Sequence, residues 1–179
     1  MSRGAPSFTI CMTRCGTAWR RALPRPQTMR IGSAYPSEHA QIAHTLWIAH
    51  THLMAAWDST PRLALLSPEP GSGKTRALEV SELLVPNAVE AVNMSSAYLF
   101  RRINSEDGLP TILYDEVDAL FGGKSQSAEE IRALLNAGHR RGAMVGRCVV
   151  TGKTVTTEES PAFCAVALAG YRLDNRFVA

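Results

Sequence analysis

Apolar and polar positions change period several times along the chain, and each change marks an element. Pro36-Ser37 has the chemistry of a helix N-cap, and Ile42, Leu46, Ala49, Leu53, Met54 and Trp57 then recur at helical spacing, predicting a helix with one apolar face. His39, His44, His50 and His52 interleave with that face, and solvated or capping roles suit them better than ligation. Asp58-Ser59-Thr60-Pro61 ends the helix with turn residues. Leu63-Ala64-Leu65-Leu66 is wholly apolar, as expected of a strand buried on both faces. The pattern then predicts a helix over 75–84 stopped by Pro86, a strand over 88–93, a helix over 95–103 carrying Leu99 and Phe100, and an apolar strand over 111–114. Beyond a Gly-Gly loop, 127–137 reads as a helix with acids in its first turn and Gly138 as its stop.

Strands alternating with helices predict right-handed crossovers and a mostly parallel sheet flanked by helices, an α/β class. The last segment differs. Residues 144–151 and 155–157 suit a hairpin around Gly152-Lys153, and 165–169 suit one more buried strand. The core therefore spans 36–179, with a β-hairpin ahead of its last strand. Residues 1–35 mix Ser, Gly, Pro and Arg without apolar periodicity and predict an extension with little regular structure.

Composition excludes several classes. The chain has 179 residues, 45% hydrophobic and 20% charged, which suits one globular domain rather than a disordered chain. Its longest apolar run, Phe163 to Tyr171, is about half of what a bilayer demands, so no membrane span is expected. Cys11, Cys15, Cys148 and Cys164 form no metal-binding spacing, and no secretory leader is recognisable, so reduced thiols in a cytoplasm are expected. The net charge of +3 hides an asymmetry: residues 1–30 hold six arginines and no acid, whereas the rest holds 13 basic and 16 acidic side chains. Such a start suits a transit peptide, a nucleic-acid-binding arm or a detachable solvated extension preceding Met29.

The chemistry concentrates in Ser67-Pro-Glu-Pro-Gly-Ser-Gly-Lys74-Thr75, between a buried strand and a helix. Gly71 and Gly73 permit the backbone angles that turn successive N–H groups toward an anion at the positive end of a helix, and Pro70 and Ser72 complete that turn. Lys74 supplies a point charge for the outer phosphates and Thr75 a hydroxyl for Mg2+, an ion that takes few protein ligands. Position 68 departs from the G-x-x-x-x-G-K-[ST] pattern: proline stands where glycine is expected. Asp115 and Glu116 end the apolar strand 111–114. A strand beside the phosphate-loop strand would bring Asp115 near the Mg2+ and Glu116 where it polarises water. Asp118 suits a cap. Arg140 and Arg141 suit either the helix C-terminus before them or a contact with nucleic acid or a neighbouring subunit's phosphate, and Lys153 at the hairpin tip shares the nucleic-acid reading.

Taken together, P-S-E-H-A, D-S-T-P-R-L-A, S-P-E-P-G-S-G-K-T and L-L-N-A-G-H-R-R-G-A give residues 36 to 170 a resemblance to a P-loop ATPase domain of bacterial, phage and prophage replication-type genes. That domain resembles the additional-strand class that includes AAA+ and helicase ATPases, some of which carry a hairpin before the last core strand. The resemblance implies ATP and Mg2+ held by Lys74 and Thr75, hydrolysis served by Asp115 and Glu116, and a setting in DNA replication, with DNA, a second copy or a replication protein as partner. After Ala167-Leu-Ala-Gly170 the chain departs from the family, so Arg172 and Arg176 match neither its sensor nor its arginine finger, and its helical lid has no counterpart. A nucleotide-binding module without turnover and a small-molecule kinase are the alternatives.

Overall fold

Strands with few polar side chains need cover on both faces, and the central strands of this sheet have it. In a computed structural model of the chain, residues 9–13, 35–91, 94–122, 125–151 and 154–171 are described. The strands are β1 (Thr9–Thr13), β2 (Arg62–Leu66), β3 (Ala88–Ala91), β4 (Thr111–Tyr114), β5 (Met144–Thr151), β6 (Thr154–Pro161) and β7 (Ala165–Gly170). The α-helices are α1 (Glu38–Thr51), α2 (Lys74–Glu82), α3 (Ser96–Ile103), α4 (Val117–Gly122) and α5 (Gln126–Ala137). The main sheet runs β1-β2-β7-β4-β3, with β2, β7, β4 and β3 parallel and β1 antiparallel to β2. β5 and β6 form a separate hairpin whose register runs from Met144↔Pro161 to Thr151↔Thr154. The α/β class is as the sequence pattern indicates; β6 is longer than expected, and α4 is a short helix that the apolar pattern does not mark.

Alternate residues of β7 serve opposite layers. Val166 and Leu168 pack with Ile112, Leu99, Phe100 and Leu134 under α3 and α5. Ala165, Ala167 and Ala169 pack with Leu63, Leu65, Trp47, Ala77 and Leu78 on the side of α1 and α2. The whole of β7 is buried, so its apolar sequence reflects burial on both faces rather than a surface strand.

Two sequence expectations are corrected here. Thr9–Thr13, within the segment expected to lack regular structure, is a strand: Thr9 pairs with Leu66 and Thr13 with Arg62. The five-residue T-I-C-M-T run has the β-branched content of a strand, too short to stand out among prolines and arginines, and it covers an edge of β2 that would otherwise present unpaired backbone groups. These residues are therefore part of the sheet and not detachable from it; the rest of 1–34 lies outside the described residues.

The buried face of α1 is also rotated from the expected one. Ser37 caps the helix, accepting from the Ala40 N–H at 3.1 Å, but the buried positions are Ala40, His44, Trp47, His50 and Thr51, while Leu53 is 55% exposed. Histidines can take this face because their polar atoms find partners. Ser81 Oγ donates to the Ala77 carbonyl at 2.7 Å, so the 2.7 Å contact with His44 Nε2 must be donated by the imidazole. His44 Nδ1 then accepts from the Tyr35 hydroxyl at 2.7 Å. His50 Nε2 lies 3.0 Å from Thr60 Oγ1, and its ring stacks on Trp57. Among the described residues no three His, Cys, Asp or Glu side chains gather around a common point.

Two outcomes follow from these contacts. Removing residues 1–13 bares an edge of β2; we expect a lower melting temperature and concentration-dependent self-association by size-exclusion chromatography, and an unchanged monomer would contradict the role of β1. Burial lowers the His44 pKa from 6.5 to about 4, so the unfolded chain binds the proton that the folded chain refuses. Stability is thus level above pH 6.5 and falls as the pH drops toward 4, by about 2 kcal/mol at pH 5. Urea melts at pH 7 and pH 5 should show this loss, and His44→Leu should flatten it.

Candidate functional site

The chain leaves the buried strand β2 at Ser67 and must turn sharply to enter α2. Pro68 and Pro70 restrict φ, and Ser67 Oγ accepts from the Glu69 N–H at 3.2 Å, so the turn is shaped by a hydroxyl and two rings where a glycine was expected at 68. Gly71 and Gly73 carry the left-handed angles, φ 70° and 91°. An L side chain at either would be strained, which explains glycine at these two positions. Gly73 is the N-cap of α2, so the first N–H groups of that helix, which have no intrahelical acceptor, open toward the loop. Pro70 has no N–H to contribute and acts on backbone shape alone.

Lys74 and Thr75, the first two residues of α2, take different surroundings. Lys74 is 9% exposed, and its Nζ donates to the carbonyls of Ser67 at 3.2 Å and Glu69 at 3.1 Å and to Ser72 Oγ at 3.0 Å. Ser72, itself buried, is therefore spent on the lysine. Thr75 is exposed and donates from Oγ1 to Asp115 Oδ2 at 2.7 Å, across 40 residues of sequence. Asp115 Oδ1 accepts the Glu116 N–H at 2.8 Å.

The structure thus joins the loop to the acid pair, with one correction. The strand β4, which ends just before Asp115, does not lie beside β2; β7 separates them, and Asp115 reaches Thr75 from one strand further away. The strand 165–169 is legible in the sequence, but its insertion between two strands that end far earlier in the chain, at Leu66 and at Tyr114, is a long-range pairing that local periodicity does not encode.

Glu116 is exposed and has φ 54°, a left-handed angle rare outside glycine. Its carbonyl accepts the Ala119 N–H at 2.9 Å, which starts α4 directly after the acids. Among the described residues the Glu116 carboxylate meets no partner, so it is available to a water or substrate at the mouth of the loop.

Asp118 is more than a cap. Its Oδ2 accepts the Tyr171 N–H at 2.5 Å, and a Cβ added to Gly170 would approach Asp118 Oδ2 to 2.5 Å and Val117 Cγ1 to 2.6 Å. Glycine at 170 lets α4 close on the end of β7. Tyr171, which sequence reasoning did not single out, lies with its ring centroid 5.0 Å from Lys74 Nζ. Its position directly after the last core strand was the available signal.

The arginine pair lies elsewhere. Arg140 bridges Ser59 and the Arg141 N–H donates to the Asp58 carbonyl at 2.8 Å, both at the approach to the N-terminal end of β2. The phosphate-type loop leaves the other end, a strand length of roughly 17 Å away. Arg141 is not at the α5 terminus: it donates to the carbonyls of Trp57 at 3.0 Å, Met54 at 2.7 Å and Ala55 at 3.1 Å, and lies over the Phe163 ring. The cation that meets the last carbonyls of α5 is Arg62 of β2, through Leu135 and Asn136. Arg140 is exposed, and its guanidinium meets no acceptor among the described residues. Lys153, Arg172 and Arg176 lie outside the described residues.

Thr75 Oγ1 and Asp115 Oδ2 stand close to the roughly 3 Å separating neighbouring oxygens around Mg2+, so this pair fits an ion that fills its other positions with water and phosphate. No protein-family model matches the chain, and no curated protein sequence is significantly similar to it. The reading of the site therefore rests on its geometry.

The left-handed angle at Glu116 has a measurable cost. Glu116→Gly should relieve about 1 kcal/mol of backbone strain, raising the melting temperature by roughly 2–4 °C. A destabilised variant in thermal melts would show that the angle is not strained.

Proposed function

We propose that the chain binds ATP with Mg2+ and hydrolyses its terminal phosphoanhydride bond. The observation that carries this reading is the 2.7 Å bond from Thr75 to Asp115, which unites a glycine-shaped loop, a helix N-terminus, a lysine and two acids around one opening. The strand inserted between β2 and β4 adds support, because it agrees with the additional-strand class implied by the motifs.

Phosphoryl transfer asks a protein mainly for positioning and charge neutralisation. The N–H groups after Gly71 and Gly73 and the start of α2 would hold the phosphate oxygens, and Lys74 would offset the negative charge that spreads over them. Thr75 and Asp115 would hold Mg2+, which would supply charge neutralisation to the phosphates. Glu116 would orient a water in line with the bridging oxygen and accept its proton. The new bond joins the water oxygen to the γ-phosphorus as the bond from that phosphorus to the β–γ oxygen breaks, leaving ADP and inorganic phosphate.

Calorimetry with Mg-ATP and a phosphate-release assay test this reading together. Lys74→Ala should eliminate measurable binding. Glu116→Gln should keep affinity near the parent value and lower turnover by about 10²–10⁴-fold, the usual worth of a positioned base. Unchanged ATP affinity in the lysine variant would refute the assignment, and tight binding without phosphate release in the parent chain would reduce the function to nucleotide binding.

A further inference from the structure

An ammonium has three N–H donors and no acceptor. In Lys74 all three have acceptors within the protein: the Ser67 carbonyl at 3.2 Å, the Glu69 carbonyl at 3.1 Å and Ser72 Oγ at 3.0 Å. The Tyr171 ring covers the same group at 5.0 Å. A phosphate that comes to Lys74 must therefore draw an N–H from one of these acceptors and also take the space beside the ammonium that the ring fills. The carbonyls belong to the loop that would hold the phosphate, and Ser72 is buried in it. The Tyr171 side chain is the neighbour that can leave outright, since it is 49% exposed and faces the ammonium through its ring.

The ring is nevertheless delivered to this place by the fold. The Ser67 N–H donates to the Gly170 carbonyl at 3.2 Å, and the Tyr171 N–H donates to Asp118 Oδ2 at 2.5 Å. The peptide between Gly170 and Tyr171 is thus held on one side by the strand exit that opens the loop and on the other by α4, which begins just after Glu116. Its backbone is fixed while its side chain keeps a route to solvent.

We infer that Tyr171 is an aromatic stopper on the phosphate site, competing with the outer phosphates of a nucleotide for the Lys74 ammonium, so that nucleotide binding displaces the ring. This rests on the proposed ATP reading and adds to it a built-in opponent of binding. The displaced ring would remain attached, through its own N–H and Asp118, to the helix that follows the acid pair.

Calorimetry of the full chain with Mg-ATP, for the parent, Tyr171→Leu and Tyr171→Phe, tests the inference. Leucine keeps much of the bulk without a π face and should bind about fivefold tighter, the scale of one partly buried cation–π contact. Phenylalanine keeps the face and should stay within about twofold of the parent. Tyr171→Ala replaces the leucine variant where that variant fails to fold, with the same tightening expected. Parent-like or weaker binding without the ring overturns the stopper while leaving the ATP reading intact. Absence of binding in every variant and in the parent overturns both.

Discussion

The position of β7 is the constraint on which the rest of the site depends. It separates β2 from β4, so the two strand ends that carry the chemistry stand two inter-strand spacings apart, roughly 10 Å. That gap is closed by the turn into α2, which brings Thr75 within 2.7 Å of Asp115. β7 can hold the middle place because it has no polar side chain to satisfy, and because its alanines occupy little volume on the α1 and α2 side while Val166 and Leu168 fill the other.

Several polar groups that look suited to ligand binding instead hold the body together. Arg141 anchors the carbonyls around the 3-10 turn Met54–Ala56, Arg62 gathers the last carbonyls of α5, and His44 links Tyr35 to Ser81. Arg62 and His44 are tolerated in buried places because they donate to groups that would otherwise lose water without replacement. Arg62 also lies beside Cys164, and burial pushes that thiol's pKa up to about 12, so the cysteine behaves as a small core residue. Lys74 remains in the loop itself, and its donors are engaged.

Much was open to a reading of the chain itself. The loop Ser67 to Thr75, the strand before it, the helix after it and the acid pair at 115–116 follow from residue type and local period, because each depends on backbone angles or burial within a few residues. Gly71 and Gly73 are legible for the same reason: a left-handed angle favours glycine whatever the rest of the fold does. The strands 63–66, 111–114 and 165–169 were visible as apolar runs, and Ser37 was visible as the cap that starts α1.

What only the tertiary structure decided is which of these pieces meet. Strand order, the pairing of Thr9–Thr13 with β2, the burial of His44 and His50, the carbonyls around Arg141 and the ring of Tyr171 over Lys74 all join residues distant in sequence. Periodicity shows that a residue has a buried face but not which partner covers it. A histidine reads as solvated until a hydroxyl on another helix satisfies it, and an arginine reads as a surface cation until carbonyls from another turn surround it. The sequence by itself determined the glycine-shaped loop and the two acids as local features; the fold decided that they meet, because long-range pairing is fixed by the packing of whole faces.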